Sequence, residues 1–169
     1  MVVSTIVPVA EYLRTSYRPD CDYLEGAILE RNVGEYSHST VQTITAGLIN
    51  ARGEAWGVRA RVELRVNVSS HRYRVPDALV LDSSLPREEI VTRPPLLCIE
   101  VLSPEDRMSE MDERIADYLN MGVPCVWILD PVRRKAFVRT GPTATEVTGT
   151  IRAPGTPIEL SLAEIFADL

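Results

Sequence analysis

The sequence predicts an α/β fold: a mixed β-sheet core flanked by helices, preceded by an N-terminal helix and hairpin. Three observations carry this. Residues 58–67 alternate apolar and polar, as a half-buried strand does. Two apolar runs, Leu96–Leu102 and Pro124–Leu129, have the character of central strands buried on both faces. Between them, residues 107–121 carry apolar side chains at helical spacing, so a helix joins two buried strands.

In chain order, residues 8–17 suit a short helix with Val9, Leu13 and Tyr17 on one side. Asp22 to Glu30 reads as a tight hairpin, with Gly26 supplying the turn. Ser37 or Ser39 can cap a helix running to about Ala51, with Val41, Ile44, Thr45 and Leu48 recurring along it and Gly53 ending it. In the alternating strand Val58, Ala60, Val62, Leu64 and Val66 point one way, Arg59, Arg61, Glu63, Arg65 and Asn67 the other. A turn at Ser69–His71 leads to a returning strand, Tyr73–Leu81, broken at Pro76, which has no N–H for a ladder. The helix over 107–121 turns Met108, Met111, Ile115, Tyr118 and Leu119 inward and stops at Gly122. Asp130-Pro131 begins a turn into Ala136–Val138. Short edge strands follow, then a last helix near 161–168, where Ser161 and Glu164 have capping-box spacing. No repeat and no long linker divides the chain, so residues 1–169 are expected to form a single domain.

Composition narrows the function. No apolar run approaches the roughly 18 residues of a membrane span. Met1–Val7 has no basic stretch and no clear cleavage site, so no signal peptide is expected. Cys21, Cys98 and Cys125 are far apart and lack zinc spacing. Free thiols in a reducing, cytoplasmic compartment fit best. The net charge of −6 argues against binding nucleic acid through a broadly basic surface; such contact must be local or made through a metal. Lys135 is the only lysine among 18 basic residues, which excludes a Walker-type phosphate loop. His38 and His71 are the only histidines, which excludes a multi-histidine metal site.

Glu100 is the anomaly: the one charged residue in a seven-residue apolar run. A buried carboxylate needs a compensating cation, either a metal or an arginine. Asp77 is the second candidate. It follows Pro76, precedes the apolar Ala78–Leu81, and lies 23 residues before Glu100 (100 − 77), enough for a strand, a loop and entry into the neighbouring strand. Two acids on adjacent strands can share one hard divalent cation. The alternative is a structural salt bridge at Glu100 and a turn cap at Asp77.

Pro76-Asp77 followed by Glu100-Val101-Leu102-Ser103-Pro104 resembles the PD-(D/E)XK nuclease superfamily. More closely, the chain resembles the Uma family of restriction endonucleases. The likeness runs through Asp22-Tyr23-Leu24-Glu25-Gly26, His38, the Glu-Val-x-Ser-Pro of residues 100–104, and the Gly-Val-Pro-x-x-Trp-x-x-Asp-Pro of residues 122–131. It implies a restriction-endonuclease-like fold and hydrolysis of DNA phosphodiester bonds with Mg²⁺ or Mn²⁺, held by Asp77, Glu100 and the Val101 carbonyl. It also implies a homodimer, since two strands need two active sites. The superfamily's lysine two residues after the glutamate is replaced by Leu102, and the lysine that the Uma family carries on the following helix is matched by Arg114. Arginine keeps its charge but does not give up its proton. Arg114 could therefore stabilise the transition state, or it could pair with Glu110, Glu100 or Asp117.

Asp22 and His38 are further site candidates by the same resemblance; a turn acid and a solvent-exposed histidine are the alternatives. Arg59, Arg61 and Arg65, with Arg72 and Arg74 across the hairpin, could line a phosphate-binding face, although Glu63 interrupts the row. The expected function is a metal-dependent DNA endonuclease. The alternative is a catalytically degenerate protein of the same fold that binds nucleic acid or a protein partner.

Overall fold

The structure, a computed structural model, describes residues 6–31 and 35–169. The expectation drawn from Met1–Val7 falls mostly on residues 1–5, outside the described residues. The order of elements is α1 (Val9–Arg14), β1 (Cys21–Leu24), β2 (Ala27–Glu30), α2 (Tyr36–Ala51), α3 (Gly53–Trp56), β3 (Val58–Val62), β4 (Val66–Ser69), β5 (Arg72–Arg74) and β6 (Ala78–Asp82). There follow β7 (Leu97–Val101), α4 (Met108–Met121), β8 (Val126–Asp130), β9 (Lys135–Arg139), β10 (Ala144–Val147), β11 (Thr150–Arg152), β12 (Glu159–Ser161) and α5 (Leu162–Ile165).

The main sheet has the order β10-β9-β8-β7-β6-β3. Its β7–β8 pair is parallel and its other pairs antiparallel, so the sheet is mixed, as expected. Every residue of β7 and β8 is buried, which is why both read as continuous apolar runs. Helix α4 connects them. Its Met111, Ile115 and Tyr118 pack with Leu79, Cys98 and Ile128 on one face of the sheet. On the other face, Val41, Ala46 and Ile49 of α2 pack with Val80, Ile99, Val101 and Trp127. Gly122 ends α4 in the left-handed region at φ 105°, which a Cβ would strain.

A second sheet, β2-β1-β5-β4, carries the N-terminal hairpin. Tyr12 of α1 covers it, packed against Tyr23 and Tyr73, and the Tyr12 hydroxyl donates to the Cys21 carbonyl at 2.8 Å.

The long alternating strand is two strands in two sheets. It breaks after Val62, where Glu63 takes φ 51° and its N–H donates to the Asp77 carbonyl at 3.3 Å. The returning strand divides likewise: β5 stays in the small sheet, the chain passes through Pro76, and β6 enters the main sheet. Gly53 does not simply end α2. It opens the short α3, and a Cβ on it would lie 2.7 Å from the Val58 carbonyl oxygen, so close approach requires glycine there. The proposed caps do not form: Glu35 precedes α2 and Ser161 precedes α5, neither with a side-chain cap bond. Among the described residues no helix is long and apolar enough to cross a membrane, and all three cysteines are free and buried.

Candidate active site

The break between β5 and β6 places Asp77 at the seam of the two sheets. In β6–β7, Ala78 faces Ile99 and Leu79 faces Cys98; one step further along the same register, Asp77 faces Glu100. Residues opposite one another in an antiparallel pair share a face. Here it is the α4 face, the one that Leu79 and Cys98 also occupy. Asp77, immediately before β6, and Glu100, on β7, therefore lie on the same side of the sheet, both almost fully buried.

Asp77 is held from several directions. Its Oδ2 accepts the Val101 N–H at 2.7 Å and lies 3.3 Å from His38 Nε2. Its Oδ1 accepts from the Arg31 guanidinium. Its main-chain carbonyl accepts the Gln42 side-chain amide at 2.8 Å. Burial pushes the Asp77 carboxyl up, but Arg31, His38 and the Val101 N–H outweigh burial and hold it well below the usual carboxylate range. His38 shows the converse: burial pushes it down, and its bond to Asp77 brings it above the ordinary imidazole value.

Glu100 accepts the Tyr118 hydroxyl at 2.6 Å on Oε1 and Arg114 Nη1 at 3.3 Å on Oε2. Burial raises its carboxyl, Arg114 opposes the rise, and the Asp77 charge adds to it; the net direction is up. Arg114 and Tyr118 are one helical turn apart on α4, which is why both reach the same carboxylate.

Arg114 reaches further. Its Nε lies 3.4 Å from Asp22 Oδ2. Asp22 also accepts Arg74 Nη1 at 2.9 Å and the Val75 N–H at 2.9 Å. Arg74 Nε in turn donates to Asp117 at 2.7 Å. The register Tyr23↔Tyr73 extends to bring Asp22 opposite Arg74. Asp77, Glu100, Arg114, Asp22 and His38 are thus brought together, and Val101 touches Asp77 directly. Arg31, Tyr118 and Gln42 join them without having been singled out in the sequence. Tyr118 was legible, as the residue four beyond Arg114 on the inward stripe. Arg31 had no signal beyond following the hairpin.

The arginine row requires correction. The strand division sends Arg59 and Arg61 to the main sheet, and Arg72 and Arg74 to the small one. Arg59 bonds to the Asp82 and Leu85 carbonyls. Arg61 bonds to the Ala60 carbonyl at 2.7 Å. Arg65 lies over the Tyr12 ring and bonds to the Thr15 carbonyl. Arg72 pairs with Glu113 and Asp117, and Arg74 is buried in its pairs with Asp22 and Asp117. These five residues do not form one face. The Arg114–Glu110 pair is absent too: Glu110 pairs with Arg107 at 3.7 Å.

A polar cavity of about 40 Å³ opens beside Asp77, lined by Arg31, His38, Val101, Asp106 and Arg114 among others. Among the described residues no three His, Cys, Asp or Glu side chains are grouped to hold a metal. Two carboxylates, Asp77 on the cavity lining and Glu100 fully buried on the neighbouring strand, are the acids at this end. As hard oxygen donors they suit a hard divalent cation. The chain itself supplies the balancing positive charge, through Arg31 and Arg114.

The mixed sheet covered by helices on both faces is a nuclease-like fold, as the comparisons with known proteins show. The family model for Uma2, described as "Putative restriction endonuclease", matches residues 9–165, and the chain belongs to that family. The chain is also similar to a crystal structure of a putative nuclease belonging to DUF820 from Anabaena variabilis. The TM-score is 0.83 and the identity 26%, over 95% of this chain and 98% of that one. No curated protein matches the chain.

Proposed function

We propose that the protein is a metal-dependent DNA endonuclease, a single domain that works in the cytoplasm as a homodimer, one active site per strand. The observation that carries this is the placement of Asp77 opposite Glu100 on one sheet face, with Arg114 on Glu100. Asp77, Glu100 and the Val101 carbonyl are the residues to hold Mg²⁺ or Mn²⁺. When bound, such an ion polarises the phosphate and lowers the pKa of the attacking water.

The chain's own residues do the rest. Arg114, fixed in charge, stabilises the negative charge that develops on the phosphoryl oxygens. Tyr118 holds Glu100, and the Val101 N–H holds Asp77, so both acids keep their orientation. Asp22 holds Arg114 from its other side and is itself fixed by Arg74 and Val75. In the hydrolysis a P–O bond forms to water, which gives up a proton to solvent, and a P–O ester bond breaks, the departing alkoxide taking a proton from solvent.

A catalytically degenerate nucleic-acid binder is the second reading. The observation favouring it is that Arg114 and Arg31 already neutralise Glu100 and Asp77. Calorimetric titration with Mg²⁺ and Mn²⁺, followed by incubation with supercoiled plasmid, separates the two. An endonuclease binds the ion and nicks the plasmid; a degenerate binder retains DNA and nicks none.

A further inference from the structure

The four carboxylate oxygens of Asp77 and Glu100 are all engaged within the chain. Glu100 Oε1 has Tyr118, Glu100 Oε2 has Arg114, Asp77 Oδ2 has the Val101 N–H and His38, and Asp77 Oδ1 has Arg31. A divalent cation that enters competes for these oxygens with the donors already on them. The Val101 N–H is fixed main chain, and Tyr118 is fully buried in α4. Arg31 is differently placed. It lies one residue past the end of β2, outside the ladder, and its side chain lines the cavity. Its Nε has no hydrogen-bond partner among the described residues; His38 Nδ1 and Arg114 Nε also lack one, but those side chains are carried by the helices α2 and α4. It is therefore the donor whose exchange disturbs least.

We infer that Arg31 is a phosphate-binding residue: it occupies Asp77 in the free protein and exchanges that carboxylate for a phosphodiester when the site is filled. This rests on the proposed nuclease function and deepens it. A guanidinium offers a phosphate the same planar fork that it offers a carboxylate. The exchange leaves each partner satisfied: Asp77 gains the cation and Arg31 gains the anion. A consequence follows that a merely structural arginine would not produce. Removing the Arg31 charge makes metal binding tighter and DNA binding weaker, two effects of opposite sign.

The test uses the full chain and its Arg31→Gln and Arg31→Lys variants. Mn²⁺ alone is titrated by calorimetry. A short phosphorothioate duplex is then titrated by fluorescence anisotropy at saturating Mn²⁺. Arg31→Gln is expected to bind Mn²⁺ about tenfold more tightly, because a like charge beside the ion is gone, and the duplex about tenfold more weakly. Arg31→Lys keeps the charge and is expected to bind Mn²⁺ as the parent does. Arg31→Gln binding Mn²⁺ no more tightly, its duplex affinity remaining unchanged, or Arg31→Lys matching the Gln variant would each overturn the inference. If neither parent nor variants bind Mn²⁺, the Asp77–Glu100 metal site falls, and the proposed nuclease function with it.

Discussion

Arg114 bridges two acids from different sheets: its Nη1 lies 3.3 Å from Glu100 Oε2 on β7, and its Nε 3.4 Å from Asp22 Oδ2 on β1. One arginine thereby ties the N-terminal hairpin to the centre of the main sheet.

The Arg114 position separates charge from proton transfer. Arg114→Lys keeps the charge and restores a group whose pKa burial can lower, so it should raise metal-dependent plasmid nicking above the parent rate. General-base assistance is worth about 100–10,000-fold, so a gain would be plain on an agarose gel. Arg114→Ala should abolish nicking and push the Glu100 carboxyl further up, since its largest opposing charge is gone. An Arg114→Lys rate equal to that of the parent would show that the base does not matter here.

Metal binding should also appear as stability. Mg²⁺ at about ten times its Kd adds about 1.4 kcal/mol to the folded state. In a chain of this size that corresponds to roughly 3–5 °C in Tm. Asp77→Asn keeps an acceptor for the Val101 N–H but loses the charge, and its Tm should not respond to Mg²⁺. An equal shift in the variant would place the ion elsewhere.

Arg74 is nearly inaccessible and neutralises Asp22, which is just as deeply buried. Arg74→Met leaves that carboxylate short of its nearest cation and should cost about 3–5 kcal/mol in urea unfolding. Adding Asp22→Asn should recover part of the loss, because the buried charge, left with Arg114 alone, is removed. If the two costs simply add, the pair does not act as a unit.

The cysteines supply a check on packing. Burial raises the Cys21 and Cys98 thiols and pushes Cys125 up to about 12. In native protein near neutral pH, Ellman's reagent should find almost no reactive thiol, and three per chain after denaturation. A rapid stoichiometric reaction in the native state would contradict the burial of these three side chains.

Period and polarity made the centre of the molecule legible. The two apolar runs are the parallel pair β7–β8, and Met111, Ile115 and Tyr118 of the expected stripe are the buried face of α4, whereas Met108, also expected inward, is exposed at the first residue of the helix. Glu100 was visible because a charge in a buried run demands a partner. The strand division was not, because the alternation of residues 58–67 continues through Glu63, and only its positive φ interrupts the ladder. For the same reason the five arginines looked like one row. Arg31 was invisible: its role comes from where the hairpin lies in three dimensions, which no local spacing encodes. The capping-box pattern at Ser161 failed because Glu164 pairs with Arg52 instead, a contact between residues 112 positions apart.

The central claim is that Asp77 and Glu100 form a hydrolytic centre, and the most direct measurement is Mg²⁺-dependent nicking of supercoiled plasmid by identically purified parent and Glu100→Gln protein. Glu100→Gln keeps the side chain's size and a carbonyl acceptor for Tyr118, and removes the charge. The account predicts nicking by the parent that requires the ion and is absent from Glu100→Gln. Equal background nicking by both proteins, with or without the ion, would contradict it.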